Sequence, residues 1–302
     1  MNKLNITACP LCDGTHRKRV MTCKDFYASG ESFDVCTCED CGFTFTQGAP
    51  VEAEMGRYYE TPDYISHSDT KKGAMNALYH QVRRYMLGRK ARLVMKEAHR
   101  KEGHLLDIGT GTGYFADAML QRNWKVEAVE KNAHARLFAR EHFGLEVKEE
   151  TALQTFAPET FDVITLWHVM EHLEALNDTW ERLHQLLTEK GILVVAVPNC
   201  SSFDAAKYGK QWAAYDVPRH LWHFTPTTMQ RMAFKHGFIM AARHPMPFDA
   251  FYVSMLSEKN LGHGLPFFRG MTTGTIAWLR ALTRKEQSSS MIYIFRKKTI
   301  KP

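Results

Sequence analysis

Long apolar runs are absent from this sequence. None of its 302 residues lies in a stretch near the roughly 18–20 consecutive apolar residues that a membrane-spanning helix needs. The longest run, 192–197, has the length of a core strand. Acidic residues are scarce beyond Met246, where nine Lys or Arg stand against three Asp or Glu and account for the whole net charge of +6. The absence of long apolar runs disfavours a transmembrane protein, and the scarcity of acidic residues near the end gives a basic tail. We therefore predict a soluble, cytoplasmic protein with a basic tail.

Cysteine is nearly absent beyond residue 41. Six of the seven cysteines precede that point, and four of them form two C-x-x-C turns that are separated by 25 residues. Disulfides are disfavoured because a cytoplasmic compartment keeps thiols reduced. Two such turns can instead make a tetrahedral sulfur site that suits zinc, and the pattern resembles a zinc ribbon. We predict a structural zinc site, with Cys36 as an alternative to Cys38, whose ligands are Cys9, Cys12, Cys38 and Cys41.

A glycine-rich turn organises the rest of the chain. A short apolar run ends in Asp107, and glycines then stand at every second position, Gly109, Gly111 and Gly113. A strand, a turn without Cβ atoms and a helix start bring backbone N–H groups against a nucleotide-like ligand. The next predicted strand ends in Glu130, 23 positions after Asp107, where an acid can accept the hydroxyls of a ribose. A dinucleotide fingerprint is disfavoured because its third glycine would fall at Tyr114.

The D-x-G-x-G-x-G string resembles motif I of class I S-adenosylmethionine (SAM)-dependent methyltransferases, and the resemblance covers about residues 100–245. It implies SAM as the cofactor and an α/β, Rossmann-like sheet of strand order 3-2-1-4-5-7-6 with an antiparallel seventh strand. Helices before motif I close over the cofactor in many members of this family. The cofactor-binding residues expected are Asp107, Gly109, Gly111, Gly113, Glu130, Trp167, His168 and Tyr64.

Periodicity divides the chain into three parts. We expect a zinc-ribbon-like module over 1–50, connecting helices over 51–100, and the methyltransferase domain over 101–302. Strands are predicted at 145–148, 161–166, 191–197, 238–243 and 291–296, with a helix capped by Asn177 or Asp178. A helical insertion of about 246–288 precedes the last strand. Because apolar and aromatic residues interleave with Arg over 261–285, this insertion is predicted to form either a lid or a peripheral membrane contact.

Two histidine-rich loops follow the central strands. His168, Glu171 and His172 form an H-x-x-E-H string that is similar to the E-x-x-E-H string of quinone O-methyltransferases, which is associated with a divalent metal. His168 replaces the first acid, so metal binding stays open. The second loop carries His220 and His223 in a P-x-H-L-x-H-F-T string that is similar to strings at this place in the family. We expect His220 to act as the base, His168 to lie beside SAM or orient the acceptor, and His172 to be a further catalytic candidate.

The acceptor is expected to be a small molecule. The quinone O-methyltransferase resemblance implies an aromatic hydroxyl, whereas a cysteine module followed by a Tyr-rich segment is similar to sugar C-methyltransferases and implies a nucleotide-linked sugar. The D/N-P-P-Y/F string of nucleic-acid N-methyltransferases is absent, and no nucleic-acid-binding module is evident. The alternatives are an RNA or protein methyltransferase, or a non-catalytic SAM-binding protein in which the zinc ribbon mediates an interaction.

Overall fold

The computed structural model describes residues 2–59, 74–246 and 248–298. Tyr64, one of the expected cofactor-binding residues, lies outside these residues. The strands are β1 Arg17–Lys24, β2 Ser32–Cys38, β3 Thr44–Gln47, β4 His104–Ile108, β5 Lys125–Val129, β6 Phe161–Trp167, β7 Leu187–Pro198, β8 Trp222–His223, β9 Phe238–Pro245 and β10 Ser290–Lys297. The α-helices are α1 Ala74–Ala98, α2 Tyr114–Leu120, α3 Ala133–Phe143, α4 Leu176–Leu186, α5 Phe203–Tyr208, α6 Pro226–Lys235, α7 Asp249–Asn260 and α8 Pro266–Thr283.

A six-stranded sheet of order β5-β4-β6-β7-β10-β9 forms the centre of the fold. Strands β4 to β7 are parallel, and β10 is antiparallel to both of its neighbours. The expected α/β class, the expected order of the strands in the sheet apart from the third strand, and the antiparallel last strand are therefore confirmed. The expected third strand at 145–148 is reduced to one parallel bridge between Val129 and Lys148. The chain enters a 3₁₀ helix at Glu150, so only this one residue pairs with the sheet.

A second sheet of order β1-β2-β3-β8 carries the cysteine turns. Its first three strands come from the N-terminal module. Its fourth strand, β8, comes from beyond β7 and pairs Phe45 with Trp222. The ring of Phe43 stacks on Trp222 with centroids 6.0 Å apart. One buried apolar cluster joins both sheets, so the N-terminal module shares its core with the central sheet.

Helix starts follow the expected chemistry in α6 but not in α4. Thr225 caps α6 through a reciprocal capping box with Thr228, and Pro226 occupies the first turn. Helix α4 begins without a side-chain cap, so neither Asn177 nor Asp178 has the capping role we expected. The Asn177 side chain lies 2.9 Å from His236 Nε2 instead. A tertiary contact thus takes the side chain that a local cap would have used.

The insertion before the last strand is an antiparallel helical hairpin of α7 and α8, as expected. In the described part of the chain no helix is both long and apolar enough to traverse a bilayer. Helix α7 begins at Asp249, which brings a carboxylate of the insertion to the carboxyl edge of the central sheet.

Candidate active site

The glycine turn after β4 has left-handed backbone at all three glycines, with φ of 65° at Gly109, 57° at Gly111 and 83° at Gly113. A Cβ at Gly109 would lie 2.4 Å from Val169, and one at Gly113 would lie 3.0 Å from Ala139. A Cβ at Gly111 would meet nothing within 4 Å. Two glycines are therefore required by protein packing, and Gly111 alone of the three faces space that a ligand could enter.

Asp107 is buried at the end of β4 and is held by two hydroxyls. Thr110 Oγ1 and Thr165 Oγ1 each donate to its carboxylate at 2.6 Å. Burial raises the pKa of Asp107 to about 6, although the two hydroxyl hydrogen bonds oppose that rise. The Asp107 carboxylate thus holds the glycine turn through Thr110 and lies directly before that turn.

Glu130 follows β5 and bridges the glycine turn. Its Oε2 accepts from the backbone N–H of Gly111, and its Oε1 accepts from the backbone N–H of Asn132, both at 2.8 Å. A carboxylate oxygen has more than one acceptor site, so these bonds leave capacity for a ribose hydroxyl. Asn132 in turn caps α3 by accepting from two backbone N–H groups. The acid that the sequence predicts at this edge is therefore in place.

Trp167 and Lys90 lie together beside this turn. The Lys90 amino group is 4.3 Å from the centre of the Trp167 ring. Burial lowers the pKa of Lys90, while Asp249 and Asp107 act in the opposite direction. No sequence motif marks Lys90, because it is one of several basic residues along the predicted helix. Only the fold shows that this lysine reaches the carboxyl edge of the sheet.

His168 stands at the end of β6 with φ of 57° and joins two acids. Its Nδ1 lies 3.2 Å from Glu171 Oε1, and its Nε2 lies 3.2 Å from Asp249 Oδ2. Burial acts to lower the pKa of His168, but the hydrogen bonds to Asp249 and Glu171 outweigh it and raise the pKa to about 9. The imidazole is therefore protonated at neutral pH, which suits orientation and charge better than proton removal.

Glu171, His172 and His220 converge in a buried cluster. One ligand atom from each lies within 4.8 Å of the others, and the two imidazole centroids are 4.5 Å apart. Glu171 Oε2 has no hydrogen-bond partner among the residues that the structure describes. His220 Nδ1 lies 2.9 Å from the Ala214 carbonyl, and His172 Nδ1 lies 3.0 Å from the Arg219 carbonyl.

For His220 the carbonyl contact indicates which nitrogen can take a proton, whereas His172 Nδ1 also lies 3.1 Å from the Tyr59 hydroxyl, which can donate to it, so the carbonyl alone does not decide the tautomer of His172. A carbonyl only accepts, so a neutral imidazole that bonds to one donates from Nδ1 and keeps its lone pair on Nε2. Asp216 Oδ2 lies 3.8 Å from His220 Nε2 and would stabilise a proton gained there. Burial, and then the charge of His220, lowers the pKa of His172 to about 4. The same three side chains, with a carboxylate and two imidazoles, could also hold a divalent cation.

Arg219 holds the second histidine loop in place. Its guanidinium is 3% exposed and contacts Asp25 Oδ1 at 3.0 Å, Asp216 Oδ1 at 2.5 Å and the Tyr58 carbonyl at 2.8 Å. The Arg219 carbonyl is the one that faces His172. This arginine therefore connects the N-terminal module with His172, through its carbonyl, and with His220, through Asp216.

His223 and Cys200 have structural surroundings. His223 Nε2 lies 2.9 Å from Thr46 Oγ1 in the pairing of β8 with β3, and burial lowers the pKa of His223 to about 3. It thus packs against the N-terminal module, whereas Thr225 caps α6 without it. Burial raises the pKa of the Cys200 thiol to about 12, which suits a neutral packing side chain.

The four cysteines of the two C-x-x-C turns form one cluster. Cys9 Sγ and Cys41 Sγ are 3.5 Å apart, and Cys12 Sγ and Cys38 Sγ are 3.6 Å apart. Tetrahedral zinc with Zn–S bonds of about 2.3 Å needs sulfurs at nearly this spacing. The donor set fits zinc, and the cluster contains Cys38 rather than the alternative, Cys36.

Comparison with known proteins gives a family and a fold. The model of the family described as "Methyltransferase domain" matches residues 78–242. A curated relative, ubiquinone biosynthesis O-methyltransferase of Rhodopseudomonas palustris (strain HaA2), is 27% identical over 145 residues. That alignment covers 45% of this chain and only 57% of the relative's length.

Two solved structures resemble the fold over about seven tenths of this chain. One, provisionally described as a sarcosine dimethylglycine methyltransferase from Galdieria sulphuraria, has a TM-score of 0.50 at 14% identity and covers 71% of this chain and 84% of its own. The other, the [4+2]-cyclase SpnF, has a TM-score of 0.50 at 17% identity and covers 70% of this chain and 80% of its own. At such identities the likeness concerns the fold alone.

Proposed function

This chain belongs to the methyltransferase domain family, and we propose that it transfers a methyl group from SAM to an oxygen or carbon atom of a small molecule. The observation that carries the proposal is the position of the buried Glu171–His172–His220 cluster. Glu171 and His172 follow the strand beside the glycine turn, where Val169 of the same loop packs against Gly109, and His220 reaches them from the second histidine loop. Ligands of such sheets bind at the carboxyl ends of the strands, so cofactor and acceptor would meet there.

The turn offers groups that match each part of SAM. Glu130 would accept the ribose hydroxyls, and the open position at Gly111 leaves room beside them. Asp107 suits an ammonium group, and the buried Lys90 suits a carboxylate. When bound, SAM supplies an electrophilic methyl group on sulfur. The chain has to hold the acceptor in line and take up its proton.

We assign proton removal to His220. As the acceptor atom gains the methyl group, its O–H or acidic C–H proton passes to His220 Nε2, and Asp216 stabilises the resulting imidazolium. The low pKa of His172 makes it a weak base. The protonated His168, held between Glu171 and Asp249, would orient the acceptor or lie beside the cofactor.

An aromatic hydroxyl of a quinone precursor is our first candidate acceptor, and the relative from Rhodopseudomonas palustris supports it. A nucleotide-linked sugar is the second, and the side chains that line a groove between the N-terminal module and α7 support it. Lys24, Lys210 and Lys259 line this groove together with the rings of Phe26 and Tyr27. Lysines suit phosphate groups, and aromatic rings suit a base.

We further propose that the four-cysteine cluster holds structural zinc and that the chain divides near residues 50 and 100. Four thiolates fill a tetrahedral shell, so no position remains for an acceptor. Without a cation, burial raises the pKa of the Cys9 thiol to about 11, so zinc binding would release protons.

The test uses transfer of a labelled methyl group from SAM to a panel of catechol-type phenols and nucleoside-diphosphate sugars. His220→Ala should lose about 10²–10⁴-fold in turnover and keep its SAM affinity and melting temperature. His16→Ala is the matched control, since this exposed histidine lies in the N-terminal module. Full activity of His220→Ala would refute the base assignment.

Two outcomes separate the rival functions. SAM binding without transfer to any small molecule, RNA or protein would favour the non-catalytic alternative, and transfer to RNA or protein alone would favour the macromolecular one. If a chelator stops turnover and Mg²⁺ restores it while zinc stays bound, the Glu171–His172–His220 cluster acts as a metal site rather than as a base.

A further inference from the structure

Helix α8 turns its small residues towards the protein. Its buried side consists of Gly270, Thr273, Gly274, Ala277 and Ala281. A Cβ at Gly270 would lie 2.5 Å from the Met255 Cα, and one at Gly274 would lie 2.7 Å from the Phe251 Cα. The two helices of the hairpin therefore touch backbone to backbone, and no large side chain of α8 is needed to hold it in place.

Most of the large apolar side chains of α8 are exposed, whereas Trp278 is half-buried. Six of them are between 39% and 66% exposed, namely Phe267, Phe268, Met271, Ile276, Leu279 and Leu282. At about 100° per residue they fall within half of the helix circumference, opposite the small residues. A surface helix of a globular protein normally has the reverse arrangement. The outer face of α8, defined by these six residues, is thus an apolar surface of the kind that marks an interaction site.

This exposure is concentrated in the insertion. Of the 18 exposed large hydrophobic residues in the described chain, ten lie between Phe248 and Leu282. Leu265, just before α8, is 70% exposed and adopts a left-handed φ of 57°. Scattered apolar residues need no explanation, but a cluster of this density does.

Positive charge surrounds the outer face. Residues 259–285 contain five Lys or Arg and no Asp or Glu. Within residues 2–59, 74–246 and 248–298, no ion pair involves Lys259, Arg284 or Lys285. A second copy of the chain would bring the same positive charge against this face, whereas anionic lipid would complement it.

We propose that the outer face of α8 docks the protein on an anionic lipid surface. An 18-residue helix is about 27 Å long and would lie in the plane of the interface, with its apolar side chains in the headgroup and acyl boundary. The basic residues at both ends of the helix would meet the lipid phosphates. The inward glycines and alanines would stay packed on α7.

Co-sedimentation of the full chain with vesicles tests this proposal. Binding is expected to vesicles of phosphatidylcholine with phosphatidylglycerol, to be much weaker to phosphatidylcholine alone, and to fall as salt rises. A Phe268→Ser, Leu279→Ser double variant should bind about tenfold or more weakly. An Arg284→Glu, Lys285→Glu variant should lose binding to the anionic vesicles by a similar factor.

The matched control changes exposed apolar residues elsewhere. Leu137 and Phe234 are 47% and 58% exposed on other helices, so Leu137→Ser with Phe234→Ser should bind vesicles as the wild type does. Circular dichroism confirms that each variant is folded. Equal loss in the control, or no binding of the wild type to anionic vesicles, would overturn the proposal. It would also be overturned if light scattering showed a dimer that Phe268→Ser with Leu279→Ser dissociates, since the face would then join two copies.

Discussion

Replacing the buried Arg219 by methionine should strongly lower the free energy of unfolding. Methionine keeps part of the aliphatic volume but removes the guanidinium that pairs with the buried Asp25 and with Asp216, whose side chain is 29% exposed. Removing one partner of a buried ion pair costs about 3–5 kcal/mol of unfolding free energy. That is a large share of the roughly 5–15 kcal/mol by which proteins are stable.

The loss should depend on pH in a defined direction. Burial acts to raise the pKa of Asp216, but the Arg219 hydrogen bond outweighs it and holds that pKa below its usual range. In the wild type this stabilisation is present above the unfolded pKa of about 4 and is lost as pH falls. In the variant, Arg219 no longer opposes the effect of burial on the Asp216 carboxylate. The charged carboxylate therefore destabilises the fold most near pH 7, and its protonation at lower pH removes that destabilisation. The difference between the two proteins should therefore shrink towards about pH 5.

Urea denaturation at both pH values, followed by circular dichroism with zinc content checked, measures this difference. Arg19→Met is the matched control, because Arg19 is exposed and lies 3.6 Å from Asp34. An exposed pair of that kind contributes about 0–1 kcal/mol. A loss below about 1 kcal/mol for Arg219→Met, or one that grows as pH falls, would refute the reasoning.

Three further predictions follow from the site. Glu130→Ala should weaken SAM binding by about 1–3 kcal/mol in calorimetry, since it removes a carboxylate that the ribose and two backbone N–H groups need; unchanged affinity would count against the adenosine assignment. Cys38→Ser should release zinc in elemental analysis, whereas Cys23→Ser, outside the cluster, should keep it. His168→Asn should lower the unfolding free energy most below about pH 6.5, and this loss should disappear as pH rises through about 9. The reason is that the protonated ring stabilises the fold through its ion pairs with Glu171 and Asp249, and a pH-independent loss would contradict those ion pairs.

Local patterns predicted the parts of the site that local chemistry determines. The glycine turn, Glu130 at the next strand end and the two C-x-x-C turns each lie where spacing placed them. The one helix start that we assigned wrongly, at Asn177, depends on a contact 59 residues away with His236. Sequence spacing carries no information about such a partner.

The same limit applies to the electrostatics of the loops. Asp249, which lies 81 positions after His168 in the sequence, reaches the imidazole from the insertion and, together with Glu171, raises its pKa. Lys90 lies beside Trp167 through helix packing alone. Each side chain was visible in the sequence, but its protonation state depends on neighbours that only the tertiary fold supplies.

The N-terminal module has a role in the site that composition alone does not suggest. Asp25 lies between β1 and β2, and its carboxylate accepts both from the Ser29 hydroxyl and from Arg219, 194 residues further along the chain. Because the Arg219 carbonyl faces His172 Nδ1, any shift of that loop would change a contact of the His172 ring. The N-terminal module therefore supports the second histidine loop through the contact between Asp25 and Arg219.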